Sequence, residues 1–263
     1  MHWTLGSRRS ALSDVTTTAE GPARAARVQS QEPRERPAPT RHRRRVSSVV
    51  LKYVMAASGA AMLLYLVLHM IGNLKIFFGR DALDGYAGWL RTLLEPAVPY
   101  SGVLWALRVV LTVALVAHVW SAIVLARRAR LARPVRYAHR QPVQGSYAAR
   151  TMRWGGVIIA LFLVYHILDL TIGTLNPSGV HGEVAGNLVA DFAPSRWYVT
   201  VFYVLAVLTV GFHVRHGLWS GLQTFGRSGA ATQRALKTFA LVFAVLLVAG
   251  FLAVPFAVTF GLV

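Results

Sequence analysis

The chain has 263 residues, of which 55% are hydrophobic and 14% charged, against roughly 25% charged in an ordinary soluble domain. Its mean hydropathy is +0.48, and the apolar residues come in runs of about 20, which a bilayer core requires and a soluble core cannot hide. The net charge of +18 gathers in the N-terminal tail and two short connections, where topology signals sit, so no nucleic-acid surface is expected; with no cysteine, disulfides, thiolate metal sites and iron–sulfur ligation by this chain are excluded.

Residues 1–46 are rich in Arg, Ala, Pro, Ser and Thr and end in the cluster Arg41-His42-Arg43-Arg44-Arg45. With no apolar run, they are expected to form a disordered basic tail rather than a signal peptide. Residues 47–263 form the membrane domain. Its hydrophobic segments are predicted at Ser48–Phe77, Ser101–Ala126, Met152–Leu175, Trp197–Leu222 and Leu236–Phe260, each long enough to span a bilayer at about 1.5 Å per residue. Proline is absent from the interiors of the first four, and Pro255 is expected to kink or finish the fifth. The tail, the connection RRARLARPVRYAHRQPVQGSYAARTMR and the approach to the fifth segment (Arg227, Arg234, Lys237) are basic. The other two connections carry Asp81, Asp84, Glu95, Glu183 and Asp191. The positive-inside rule therefore predicts an all-α membrane protein of five transmembrane helices, N-terminus cytoplasmic and C-terminus outside.

A histidine inside a span is uncommon and expensive unless it is paired or functional. The first four segments each carry one: His69, His118, His166 and His213, with His216 one turn after the last. Helices one and three enter from the cytoplasm, and His69 and His166 come about 20 and 14 residues in; helices two and four run the other way, with His118 and His213 about 16 residues from their outer ends. The four sort into an outer pair, His69 with His166, and an inner pair, His118 with His213. Two histidines at one depth on facing helices suit bis-imidazole ligation of a haem b. No C-x-x-C-H run is present for covalent attachment. The spread over four helices and two depths suits zinc less well. Either His213 or His216 could be the fourth ligand, since residues three apart share a helix face. His2, His42, His139 and His181 lie in the tail or connections and read as solvated.

At these residues the sequence resembles the five-helix di-haem cytochrome b subunit of succinate dehydrogenase and quinol:fumarate reductase, its actinobacterial members most of all. The stretches that carry the resemblance are HMIGNLKIFFGRDALDGYAGWLR, AHVWSAIVLARRAR, YHILDLTIGTLNP and FHVRHGLWSGLQTFG, and it covers about Leu51 to Val263. It implies a distal haem b on His69 and His166 and a proximal one on His118 and His213; the pattern F-H-x-x-[HN]-G favours His213 over His216. It further implies a flavoprotein that oxidises succinate, an iron–sulfur subunit docked on the cytoplasmic face, and menaquinone as electron acceptor. The location it implies is the bacterial cytoplasmic membrane. Some family members place a glutamate near the distal haem at the start of the second helix. Here Arg91 stands near that place with Glu95 one turn on, and a carboxylate found in some members two residues before the fourth ligand is replaced by Gly211.

Lys75, Arg91, Arg108, Arg153 and Arg215 lie in or beside the helices, where a cation either snorkels to the interface or meets a haem propionate. Arg215, between His213 and His216, is the best placed for a propionate. Asp169, one turn after His166, is a candidate for quinone or proton chemistry, with Glu95 and Trp89 as further quinone candidates. Gly59, Gly72, Gly155, Gly156, Gly211 and Gly217 would admit a flat porphyrin or close helix packing. The functional expectation is an electron-transfer anchor of succinate:quinone oxidoreductase. The nearest alternatives are the anchor of a quinol:fumarate reductase or of another quinol-linked enzyme. A haem-free transporter or structural anchor is the alternative from a different class, but the broken helices of such transporters are not evident in the first four segments.

Overall fold

In hydrocarbon every backbone N–H and C=O must be satisfied within the protein, so long apolar runs cross a membrane as helices. The computed structural model describes residues 46–132, 144–224, 226 and 229–263, and of 144–151 the backbone alone. Among the described residues there is no strand. The tail predicted over 1–46 lies outside the described residues except for Val46, as do His2, His42, His139 and Arg227.

Among the described residues five helical segments are long and apolar enough to cross a membrane: Ser48–Phe78, Gly102–Leu131, Met152–Thr171, Pro194–Thr224 and Ala230–Thr259. The first consists of α1 (Ser48–Asn73) and a 3-10 turn, Leu74–Phe78. Helix α2 (Arg80–Thr92) follows in the connection, then the second span, α3 (Gly102–Leu131). The third is α4 (Gln144–His166) with a π turn, Ile167–Thr171. A short α5 (Val184–Asp191) and a 3-10 turn, Pro194–Arg196, lead into α6 (Trp197–Thr224), and α7 (Ala230–Thr259) completes the bundle.

The structure departs from the expectation in several places, the second span running to Leu131 rather than Ala126. The third span ends at Thr171 rather than Leu175, because the π turn after His166 breaks the regular ladder; its Ile172 N–H reaches back five residues to the Ile167 carbonyl. Helix α7 begins at Ala230 and runs through Pro255 to Thr259, a break in one backbone bond that neighbouring helices make tolerable. The connections before the second and fourth spans contain α2 and α5, too short or too polar to register as apolar runs.

Helix α6 packs along α7, α1 along α3, and α4 against α6. Lipid is as apolar as leucine, so helices associate in it by close packing of small residues. On α7 the buried positions Ala240, Ala244, Leu247, Val254 and Val258 recur every three or four residues along one face. Opposite, a side chain on Gly211 of α6 would collide with Val248 Cγ2 at 2.5 Å. Large apolar residues such as Leu64, Leu161, Phe212 and Leu246 remain at least 64% exposed, the surface a bilayer would cover.

The two ends of the bundle differ. At one, Arg128 at the end of α3 donates to the Ser48 hydroxyl (2.9 Å) and the Val46 carbonyl (2.7 Å) at the start of α1; Arg127 and Arg130 stand beside it, and this is the basic end. At the other, α2 and α5 fold over the helix termini. Ile76, Leu83, Leu188, Phe192, Val199 and Val258 join there in one buried cluster. The Asp84 carboxylate accepts from the Ala185 N–H at 2.9 Å, capping α5 from α2. Thr259 donates to the Phe192 carbonyl at 3.1 Å and meets the Thr200 hydroxyl at 2.7 Å, fastening the start of α6 to the end of α7. This is the capped end.

Since Val248 is stiff at its branched carbon, Gly211→Ala should destabilise the chain by about 1–3 kcal/mol. Gly88→Ala, in α2 with nothing within 4 Å of the added carbon, should be neutral or stabilising by up to about 1 kcal/mol through helix propensity. Thermal unfolding of both variants in detergent checks the contrast.

Candidate functional site

The first three spans carry one histidine each and α6 carries two, His213 and His216, and the packing decides which of them meet. The His69 and His166 rings stand 5.9 Å apart between centroids, with planes at 80°. His118 and His213 stand 6.1 Å apart, with planes at 59°. The histidines that share a depth are therefore the ones that face each other, the first pair toward the capped end and the second toward the basic end. His216 instead packs edge-on against Trp219 at 5.6 Å, whose indole N–H donates to Gln233 Oε1 at 2.9 Å.

Each ring is held by its surroundings. His69 stacks on Tyr65 one turn earlier (5.4 Å) and lies beside Phe251 of α7 (6.0 Å). His166 packs on Phe162 (5.7 Å), and its Nδ1 is 3.4 Å from the Tyr203 hydroxyl. His118 Nδ1 lies 3.0 Å from the Met55 carbonyl and 3.5 Å from the Ser58 hydroxyl. A carbonyl only accepts, so the proton is on Nδ1 and the lone pair of Nε2 is left for a metal. This approach depends on Gly59, where an added carbon would sit 3.3 Å from His118 Cε1. His213 Nδ1 is buried without a partner.

The fit to haem can be tested on these distances. With metal–imidazole bonds of about 2.0–2.1 Å and a centroid about 1.1 Å behind the bonded nitrogen, two imidazoles on opposite sides of one iron have centroids about 6.3 Å apart. The observed 5.9 and 6.1 Å fall just short of that spacing and also lie within the range of about 4.5–7 Å for ordinary ring contacts. Gly217, one turn after His213, is exposed, with open space within 4 Å of the position a Cβ would occupy. Gly156 is likewise open, whereas Gly72 and Gly211 admit Tyr86 and Val248, so those two serve helix packing. Among the described residues no three His, Asp or Glu gather as a compact metal site. The residues present fit a group that takes two axial imidazoles.

Beside the outer pair lies an acidic cluster that sequence reasoning found only in part. Asp169, on the π turn, and Asp191, at the end of α5, are both fully buried. Tyr203 donates to Asp169 Oδ2 at 2.9 Å. Arg196 donates to Asp191 Oδ1 at 2.9 Å and to the Asp191 carbonyl at 3.2 Å. Asp191 was legible only as an acidic residue in a connection, and Tyr203 as an aromatic residue in a span; nothing in their spacing announces that α5 brings them together.

The remaining candidates are dispersed. Trp89 is half-exposed on α2, stacked with Tyr86 at 5.9 Å, and Glu95 is exposed in the connection beyond it. Arg91 lies in the last turn of α2 rather than at the start of a span. Asp169 is buried, so these residues do not share one surface. Arg215 is exposed two positions from His213, a spacing that puts it on another helix face. Lys75 and Arg108 lie over Phe78 and Trp105 at 5.9 and 4.8 Å, and Arg153 is exposed.

Burial, then the neighbouring Asp169, pushes the Asp191 carboxyl up from 3.8 to about 7, against the opposing pull of Arg196. Between those values the folded chain holds a proton that the unfolded chain has lost, so stability falls as pH rises through the window and is level above it. Asp191→Asn should flatten that decline; thermal unfolding across a pH series measures it.

Comparison of the chain with family models, curated proteins and solved structures returned no match.

Proposed function

We propose that this chain is the di-haem cytochrome b membrane anchor of a succinate:quinone oxidoreductase. The observation that supports the reading is the facing of the four span histidines in two couples, His69 with His166 and His118 with His213, with ring centroids 5.9 and 6.1 Å apart. His118 and His213 hold the proximal haem b near the basic end, and His69 and His166 the distal one near the capped end. Bound haem b supplies one-electron transfer between an iron–sulfur partner and a quinone, menaquinone in the related proteins.

The chain's own part is to orient and insulate. The Met55 carbonyl fixes the tautomer of His118 and raises the basicity of its Nε2. Tyr65, Phe162 and Phe251 pack the outer imidazoles and exclude water, which raises the influence of nearby dipoles. By the positive-inside rule the basic end faces the cytoplasm, in the bacterial cytoplasmic membrane. There an iron–sulfur subunit and a succinate-oxidising flavoprotein dock, and the capped end faces outward. This chain makes no contact with succinate. Arg196, 23% exposed at the capped end, and the exposed arginines of the basic end are the cations within reach of the two interfaces.

Reduced-minus-oxidised spectra of the purified complex should show b-type haem. His69→Ala or His166→Ala should leave the proximal haem alone, His118→Ala or His213→Ala the distal one, and His216→Ala both. Co-purification of a flavin-bearing subunit that oxidises succinate distinguishes this anchor from those of other quinol-linked enzymes; a haem-replete preparation without such a partner would contradict the assignment.

A further inference from the structure

The buried acids at the capped end have a charge balance that the haem sites do not explain. Asp169 and Asp191 are 0% exposed and stand against each other, side chain to side chain. Each uses one oxygen, on Tyr203 and Arg196 respectively. The other oxygens, Asp169 Oδ1 and Asp191 Oδ2, are buried with no donor. Two ionised carboxylates facing each other beside one guanidinium would leave a net negative charge in a dry site, and like charges so placed do not both ionise. One proton between the two orphaned oxygens satisfies both and makes the cluster neutral.

We propose that Asp169 and Asp191 share one proton and form a proton-loading site at the capped end, linked through Tyr203 to His166. The link is a chain of donors: the Tyr203 hydroxyl donates to Asp169 Oδ2 at 2.9 Å and lies 3.4 Å from His166 Nδ1, which donates to it. The charged and titratable groups facing the pair are Arg196 from the 3-10 turn, Tyr203 from α6 and Tyr165 from α4, with His166 reached through the Tyr203 hydroxyl. From α2, Asp84 is engaged at the far end of α5 by the Ala185 N–H, and from α7 the Thr259 hydroxyl is bonded to the Phe192 carbonyl. Arg196, partly exposed, is the side of the cluster nearest water. A negative charge arriving beside His166 raises the proton affinity of the pair, and the proton it gains comes from water at that side. This coupling rests on the haem reading proposed above; the shared proton does not.

Infrared spectroscopy of the full chain tests the two parts separately. At neutral pH the wild-type protein should show a protonated-carboxyl stretch that shifts in heavy water, is lost in both Asp169→Asn and Asp191→Asn, and survives in Asp81→Asn, an exposed control. No such band, or a band that persists in both variants, overturns the shared proton whether or not haem is bound. In haem-loaded protein the midpoint potential of the distal haem should fall with rising pH, toward the limit of about 59 mV per tenfold change in proton concentration for one electron. Tyr203→Phe should keep the infrared band and flatten that dependence. A dependence unchanged in Tyr203→Phe and in both Asn variants overturns the coupling.

Discussion

An imidazole in hydrocarbon has two nitrogens to satisfy and almost no water to satisfy them with, and this constraint organises the chain. Four imidazoles are met by one another and by few other polar groups. His118 spends its Nδ1 on a backbone carbonyl that is already inside a helix, and it lies close against Gly59, where an added carbon would sit 3.3 Å from its ring. His213 leaves its Nδ1 buried and unpartnered, a cost of about 1–3 kcal/mol for a polar group without a hydrogen bond. On the haem reading proposed above, a metal between each facing pair would turn the arrangement from an expense into a binding site.

The rest of the bundle follows from holding two pairs at two depths. Close contacts through small residues on α6 and α7 fix the helix that carries His213, while α1, running along α3, brings Gly59 and Met55 to His118. The capped end has a further task. It holds two buried carboxyls, one of them paired with the partly exposed Arg196, and a tyrosine beside the outer imidazoles, in the same region where Leu83, Leu188 and Phe192 join a buried apolar cluster. The packing of α2 and α5 over the spans is what keeps water from dissolving that network, so a change in these two short helices reaches the outer imidazoles without touching them.

Much of this is legible in the sequence. The spans follow from apolar length, and the pairing of histidines by depth from 1.5 Å per residue, because both are one-dimensional properties of a helix. The ends of the third and fifth spans were less legible: the π turn after His166 and the continuation through Pro255 depend on tertiary neighbours that no local pattern records. Asp191 and Tyr203 are 12 residues apart in sequence, and only the fold of α5 over the bundle brings them to the same carboxyl pair. The choice between His213 and His216 was ambiguous at three-residue spacing; the rings themselves separate, one toward His118 and the other toward Trp219.

The central claim is that each facing pair binds one haem b. Its most direct test is the haem content of the chain purified from a haem-replete host, by pyridine haemochrome assay against protein concentration. Two b haems per chain is the predicted result. A preparation that is folded and free of haem would contradict the account.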